Sequence, residues 1–181
     1  MNLVFDLETD GLLDDFSQIH CLCIHDLDTK ETTTFNDIGS GSDSIVRGAE
    51  YLADADNIIG HNAIGFDCPV LRRVYPWWKP SGQVLDTLLL SRLYHPNRYD
   101  LDEKRYGNKK GDDVLPLRLW GRHSLESYGW RLGEHKDDFG KETDWQSWSP
   151  EMEAYMETDV KVTTLLWHHF VKFLTGSNTN T

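Results

Sequence analysis

Cysteine is scarce in this 181-residue chain. Its three thiols are Cys21, Cys23 and Cys68, and no two stand as Cys-x-x-Cys. That excludes a disulfide framework and argues for a reducing compartment, the cytoplasm. Cys21 and Cys23 would share a strand face with His25, but small buried thiols account for them without a zinc ion. Long apolar runs are also missing. No stretch reaches the roughly 18 apolar residues of a membrane span, and the N-terminus carries acids where a secretory leader needs a basic region. No membrane is therefore expected as a partner. Positive charge is short as well: 18 lysines and arginines face 30 aspartates and glutamates, a formal net charge of −12. A nucleic-acid binder normally shows a basic face. The shortage is uneven, because residues 97–123 carry Arg98, Lys104, Arg105, Lys109, Lys110, Arg118 and Arg122 against five acids, which makes that stretch +2 and the remainder −14. By itself such a stretch reads as a solvated, charged loop.

What is present is concentrated at the start, MNLVFDLETDGLL. The apolar run Leu3-Val4-Phe5 reads as a buried strand, and Asp6, Glu8 and Asp10 follow it directly. Carboxylates at the end of a buried strand are costly unless their charge is offset. A calcium loop starting at Asp6 fails at its twelfth position, which is Ser17 instead of glutamate, and lacks an entering helix. On a strand, Asp6 and Glu8 point to one face. Two carboxylates there repel, and a divalent cation relieves them. The pair reads as half of a metal site that needs further oxygen ligands from elsewhere.

The pattern predicts strands over residues 2–7, 18–27 and 31–36, the last two joined as a hairpin. A helix capped by Ser42 or Asp43 is expected to run to about Ala55, followed by a short strand in NIIGHN. GFDCPVLRRVY reads as a helix with Pro69 in its first turn, DTLLLSRLYHP as a helix ended by Pro96, and HSLESYGWRLG as a third. Residues 97–121 are polar and irregular and read as a mobile loop. Residues 136–148 read as a loop with Trp145 and Trp148. Ser149-Pro150 caps a long helix to about Leu174. These elements imply one α/β domain over residues 1–175, a central mixed sheet flanked by helices, with a flexible tail at 176–181. The site is expected at the ends of the central strands.

Two further acids stand out. Asp67 follows Phe66 at a strand-to-helix junction, where the helix macrodipole alone would favour an acid. Tyr155 and Asp159, four apart, share a helix face with Met152, Val162 and Leu166, so the acid points inward and needs a partner or a metal. Asp6, Glu8, Asp67 and Asp159 form a hard-oxygen set suited to two Mg²⁺ or Mn²⁺ ions about 3.5–4 Å apart, the arrangement that cleaves phosphodiesters.

These stretches resemble the motifs of the DEDD superfamily of 3′→5′ exonucleases, with a ribonuclease H-like exonuclease fold. Asp6-Leu7-Glu8 matches the first motif, Asn62-x3-Phe66-Asp67 the second, and Tyr155-x3-Asp159 the third, whose tyrosine marks the DEDDy branch. DTLLLSRLYHPN and RHSLESYGWRLGEHKDDF are similar to the proofreading domain of tailed-phage family A DNA polymerases, so the resemblance covers residues 2 to about 174. It implies that Asp6 bridges two metal ions, that Glu8 and Asp159 complete the site of the ion that activates water, that Asp67 holds the second ion, and that Tyr155 orients the water. It implies further that Leu12 wedges between the last two bases and that Asn62, with Thr9 and Phe66, holds the strand near its 3′ end. His61 is expected to be structural. The reaction implied is hydrolysis of a DNA 3′ end, preferably single-stranded, to nucleoside 5′-monophosphates, in phage-type proofreading or DNA degradation with a separate DNA polymerase as partner. An exoribonuclease of the same family and an inactive polymerase-docking module are the alternatives; a degenerate module should have lost a carboxylate. Lys109 and Lys110 are expected to meet substrate phosphates. Met1 abuts the first strand and the tail is polar, which favours a stand-alone protein in the host cytoplasm.

Overall fold

The computed structural model describes residues 1–38, 44–111, 113–134 and 146–176. The chain begins with an antiparallel meander, β1 (Asn2–Thr9), β2 (Ile19–Asp26) and β3 (Thr32–Asn36). Helix α1 (Ile45–Ala53) leads to β4 (Asn57–Gly60), α2 (Asp67–Val74) to β5 (Gln83–Asp86), and α3 (Thr87–Tyr94) to α4 (Arg98–Tyr106). A 3-10 turn (Leu117–Leu119), α5 (Leu125–Leu132) and the long α6 (Pro150–Leu174) complete it. The strand order is β3-β2-β1-β4-β5, with β4 and β5 parallel to β1 and its neighbour respectively. This is the mixed, helix-flanked sheet expected, and β1 lies at its centre.

A central strand is buried on both faces, and β1 alternates accordingly. Leu3, Phe5 and Leu7 enter a core with Ile45, Ala49 and Leu52 of α1 and Val70 and Leu71 of α2. Val4 points the other way, among Cys21, Cys23 and Ile59 beneath Met152, Met156 and Val160 of α6. Each large side chain buried this way stabilises by about 1.5–3 kcal/mol. The thiols are thus core packing, and burial, with help from nearby acids, pushes both well above the ordinary thiol range.

Several helix ends follow from the sequence chemistry. Ser149 caps α6 by accepting the Met152 N–H, with Pro150 as the first helical residue. Ser124 caps α5 through the Ser127 N–H, and Gly133, at φ 79°, ends it in the left-handed conformation. At α1 the cap is Ser44 and the helix ends at Ala53; Ser42 and Asp43 lie outside the described residues. The segment DTLLL starts differently from the expected helix. Asp86 ends β5, and its carboxylate caps α3 by accepting the Leu88 and Leu89 N–H groups. Of the expected 136–148 loop, residues 136–145, Trp145 among them, lie outside the described residues; Trp148 donates its indole N–H to Glu153 at 2.8 Å.

The expected mobile loop at 97–121 is a correction. It contains α4 and the 3-10 turn, and Tyr106, Leu115 and Leu119 bury together against Trp120 and Trp130. Its centre is ionic. Asp102, fully buried, accepts from Arg131 Nη2 at 2.7 Å and Nε at 2.9 Å, from Arg98 at 3.1 Å and from the Gly121 N–H at 3.0 Å. Arg131 comes from α5, so the ordering partner is remote in sequence, and the three apolar anchors are too irregularly spaced to show a period.

Burial opposes ionisation of Asp102, but Arg131, the Gly121 N–H and Arg98 outweigh it and hold the carboxyl below the usual range. Its contribution is therefore present above the unfolded value near 3.9 and is lost as pH falls through the native one. Arg131→Leu should lower the unfolding free energy by about 3–5 kcal/mol, because it strands a buried carboxylate. Urea unfolding at neutral pH reads this directly; a change below about 1 kcal/mol would show that the pair does not order this region.

Candidate active site

The ladder between β1 and β4 runs from Asn2 opposite Asn57 to Val4 opposite Ile59. Beyond it β1 continues to Thr9, and Asp6 and Glu8 occupy this projecting end. In the β1–β2 register Asp6 lies opposite Cys23 and Glu8 opposite Cys21, which puts both acids on the face covered by α6. Asp159 of α6, buried, meets them there. One carboxylate oxygen from each of Asp6, Glu8 and Asp159 lies within 4.8 Å of the others, the only grouping of three or more potential metal-ligating side chains among the described residues. Three like charges at that range repel by on the order of 3 kcal/mol per pair.

Asp67 opens α2 and is buried at 3% exposure. Burial pushes its carboxyl well above the usual carboxylate range; its own N–H and that of Leu7 pull it back, and Asp86 and Asp159 push it further up. It shares with the other three acids a cleft of about 240 Å³, lined by Asp6, Leu7, Glu8, His61, Asn62, Phe66, Asp67, Tyr155 and Asp159. Seven of the expected site residues therefore converge, from β1, the β4–α2 loop, α2 and α6.

The loop before α2 is tightly folded. Asn62 has φ 64°, a conformation asparagine tolerates better than most residues. Its carbonyl accepts from the N–H groups of Gly65 and Phe66 at 2.9 and 3.0 Å. His61 Nδ1 lies 2.9 Å from Thr87 Oγ1, and burial pushes the imidazole down to about 4, so the ring is neutral at physiological pH. His61 holds the loop to α3 while also lining the cleft.

Thr9, Leu12, Lys109 and Lys110 are not among the lining residues. The Thr9 hydroxyl donates to the Gly11 carbonyl at 2.6 Å, steadying the turn that follows. Leu12 is 75% exposed on that turn. The turn is braced by Arg73, which donates to the Leu13 carbonyl at 2.8 Å and lies 5.0 Å from the Phe16 ring. Asp10 accepts the Ser17 N–H at 2.7 Å and the Gln18 N–H at 3.1 Å, so this acid closes a loop instead of facing the cleft. Lys109 lies 5.7 Å from the Tyr106 ring, beside a separate cavity of about 450 Å³ that Arg105 and Trp130 also line.

One residue that sequence reasoning passed over is Asp86, which binds the Asn62 and Ile64 N–H groups as well as capping α3. Its signal was an acid immediately before an apolar helical run.

A model of the RNase H superfamily matches residues 3–109. The DNA-directed DNA polymerase of Escherichia phage T7 is 33% identical over 187 residues, covering 91% of this chain and 26% of the polymerase. The DNA-directed DNA polymerase of Enterobacteria phage T3 is 32% identical with the same coverage. The chain thus spans about a quarter of these relatives. The structure of Brucella melitensis NrnC with bound Mg²⁺ superposes with a TM-score of 0.61 at 17% identity, over 97% of this chain and 74% of that one. No helix among the described residues is long and apolar enough to cross a membrane.

The crowding of Asp6, Glu8 and Asp159 has a measurable consequence. In EDTA, Asp6→Asn with Glu8→Gln should raise the thermal midpoint, by about 2–4 °C for each kcal/mol of like-charge repulsion removed. With millimolar Mg²⁺ the wild type should gain stability and the double variant should not. Equal midpoints in all four conditions would mean that the carboxylates neither repel nor bind a cation.

Proposed function

We propose that this chain, which belongs to the RNase H superfamily as an RNase H-like exonuclease domain, is a 3′→5′ exodeoxyribonuclease that releases nucleoside 5′-monophosphates from DNA ends with the help of two divalent cations. The observation that carries the reading is the convergence of three carboxylate oxygens within 4.8 Å, in a cleft that also holds Asp67, Tyr155, Asn62 and Phe66. The donor set is all oxygen and partly buried, which fits Mg²⁺ or Mn²⁺ and not a soft metal. NrnC, whose fold is similar, has been solved with Mg²⁺ bound.

When bound, the cations supply the positive charge that an acidic cleft needs to accept a phosphodiester and to activate water. Asp6, Glu8, Asp67 and Asp159 would hold them. Tyr155 orients the attacking water, since a phenol is a poor general base at neutral pH. Asn62 and Phe66 hold the terminal nucleotide, and Leu12, exposed beyond the cleft with Thr9 supporting its turn, separates the last two bases. The phage polymerase relatives support DNA over RNA as substrate, and a replicative role, proofreading or DNA degradation, beside a DNA polymerase in the host cytoplasm.

The primary test compares single-stranded DNA labelled at its 3′ or its 5′ end, with a matched RNA. A 3′ label should appear at once as mononucleotide, and a 5′ label should shorten progressively. EDTA should abolish this and Mg²⁺ or Mn²⁺ restore it, and Asp6→Ala should be the most damaging of the four carboxylate changes. Full activity in chelator, or release from the 5′ end, would refute the reading; faster RNA cleavage would move it to an exoribonuclease. Tyr155→Phe should slow the reaction roughly ten- to a hundredfold, as losses of an orienting group do. Abolition as complete as with Asp159→Ala would make the phenol an acid or base.

The same reading assigns upstream phosphates to Lys109 and Lys110. Each such contact on a single strand releases about 0.7 counterion. Lys109→Ala with Lys110→Ala should weaken binding and flatten its dependence on salt, while the rate at saturating DNA stays unchanged. Identical salt slopes for variant and wild type would remove these lysines from the substrate path.

A further inference from the structure

Asp86 is 5% exposed and stands at the junction of three elements. Its Oδ1 accepts from Asn62 N–H at 3.0 Å and Leu88 N–H at 2.9 Å, with Leu89 N–H at 3.4 Å, and its Oδ2 accepts from Ile64 N–H at 3.1 Å. One carboxylate thus ends β5, caps α3 and grips the β4–α2 loop at two points. The neighbouring Thr87, fully buried, adds a second attachment: its hydroxyl donates to the Gly60 carbonyl at 3.1 Å and meets His61 Nδ1. The loop so gripped is the one that holds Asn62 in its left-handed conformation and presents Asn62 and Phe66 to the cleft.

We infer that Asp86 is a positioning residue for substrate, setting the Asn62–Phe66 turn that grips the terminal nucleotide without touching the nucleotide itself. The inference rests on the exonuclease reading above. It separates grip from chemistry on structural grounds. Asp6 and Glu8 belong to β1 and Asp159 to α6, and none of Asp86's named contacts is to either element. Asp67 has its own anchor in the Leu7 N–H. Disturbing Asp86 therefore moves the turn and leaves the three-carboxylate cluster in place.

Asp86→Asn divides the two duties of the carboxylate. The amide oxygen belongs at the Oδ1 position, where three donors meet it, and asparagine is as good a helix cap as aspartate. The amide nitrogen then faces the Ile64 N–H, donor against donor, so the cap and the Asn62 contact survive and the second hold on the loop, at Ile64, is lost. Asp86→Ser is the second variant, which also keeps a cap but cannot span both sites.

KM, kcat and thermal midpoint are measured on single-stranded DNA with Mg²⁺. For both variants KM should rise roughly tenfold, the scale of one lost hydrogen bond to a buried charge, with kcat within about twofold of wild type and the midpoint of Asp86→Asn close to it. An unchanged KM in a folded variant would overturn the inference. So would a fall in kcat with KM unmoved, which would tie Asp86 to the chemical step, or failure of Asp86→Asn to fold, which would make it a stability residue. An inert wild type would instead refute the exonuclease reading.

Discussion

The arrangement turns on like charges held at the buried end of a central strand. Asp6 and Glu8 are fixed there by backbone pairing to β2, and Asp159 is brought over them by the packing of Met152, Met156 and Val160 on the sheet. None of the three can move away from the others without unpacking the face that α6 covers. The repulsion is built in by the hydrophobic core, and a bound cation would be stabilised by the same rigidity. A flexible loop with the same acids would let them separate and would lose that preorganisation.

The topology makes room for this cluster. Because the β1–β4 ladder reaches only to Val4, the far end of β1 has space beside it for the β4–α2 loop. The Leu7 N–H bonds to Asp67, the first residue of α2, instead of to a strand. A backbone group that a longer β4 would have used thus draws a fourth carboxylate toward the first two. Asp86 repeats the device one strand further out, using its carboxylate to satisfy N–H groups of a loop and of a helix start together. Asp67 lies past the end of β4 and Asp86 at the end of β5, the side on which open α/β sheets collect their ligands.

The charge distribution fits this division. An overall charge of −12 would not oppose phosphate binding at a site that took its cations from solution, but it leaves the rest of the surface repulsive to a polyanion. The basic stretch from Arg98 to Arg122 partly corrects that, and α4 and the Asp102 cluster give it a firm base. Arg98 and Arg131 are consumed in that base, whereas Lys104, Arg105, Lys109 and Lys110 remain on the exposed side. Fewer of the basic residues are therefore available at the surface than the count in the sequence suggests.

The three motifs, the alternation along β1, the Ser149-Pro150 start of α6 and the α/β class were all readable in the residues, because each depends on neighbours two to five positions apart. The candidate carboxylates were legible for the same reason: an acid on an apolar face is a local anomaly. What escaped depended on partners far away. Residues 97–121 read as a loop because Asp102 meets Arg131 only after the chain has turned back as α5. Asp86 read as an ordinary helix start, because its other two donors come from the Asn62–Ile64 turn. Short-range periodicity and capping are written into the sequence by local backbone geometry. Which buried charge finds which counter-charge, and how closely three acids from two elements approach, were decided only when the core closed and removed the water that would otherwise have solvated them.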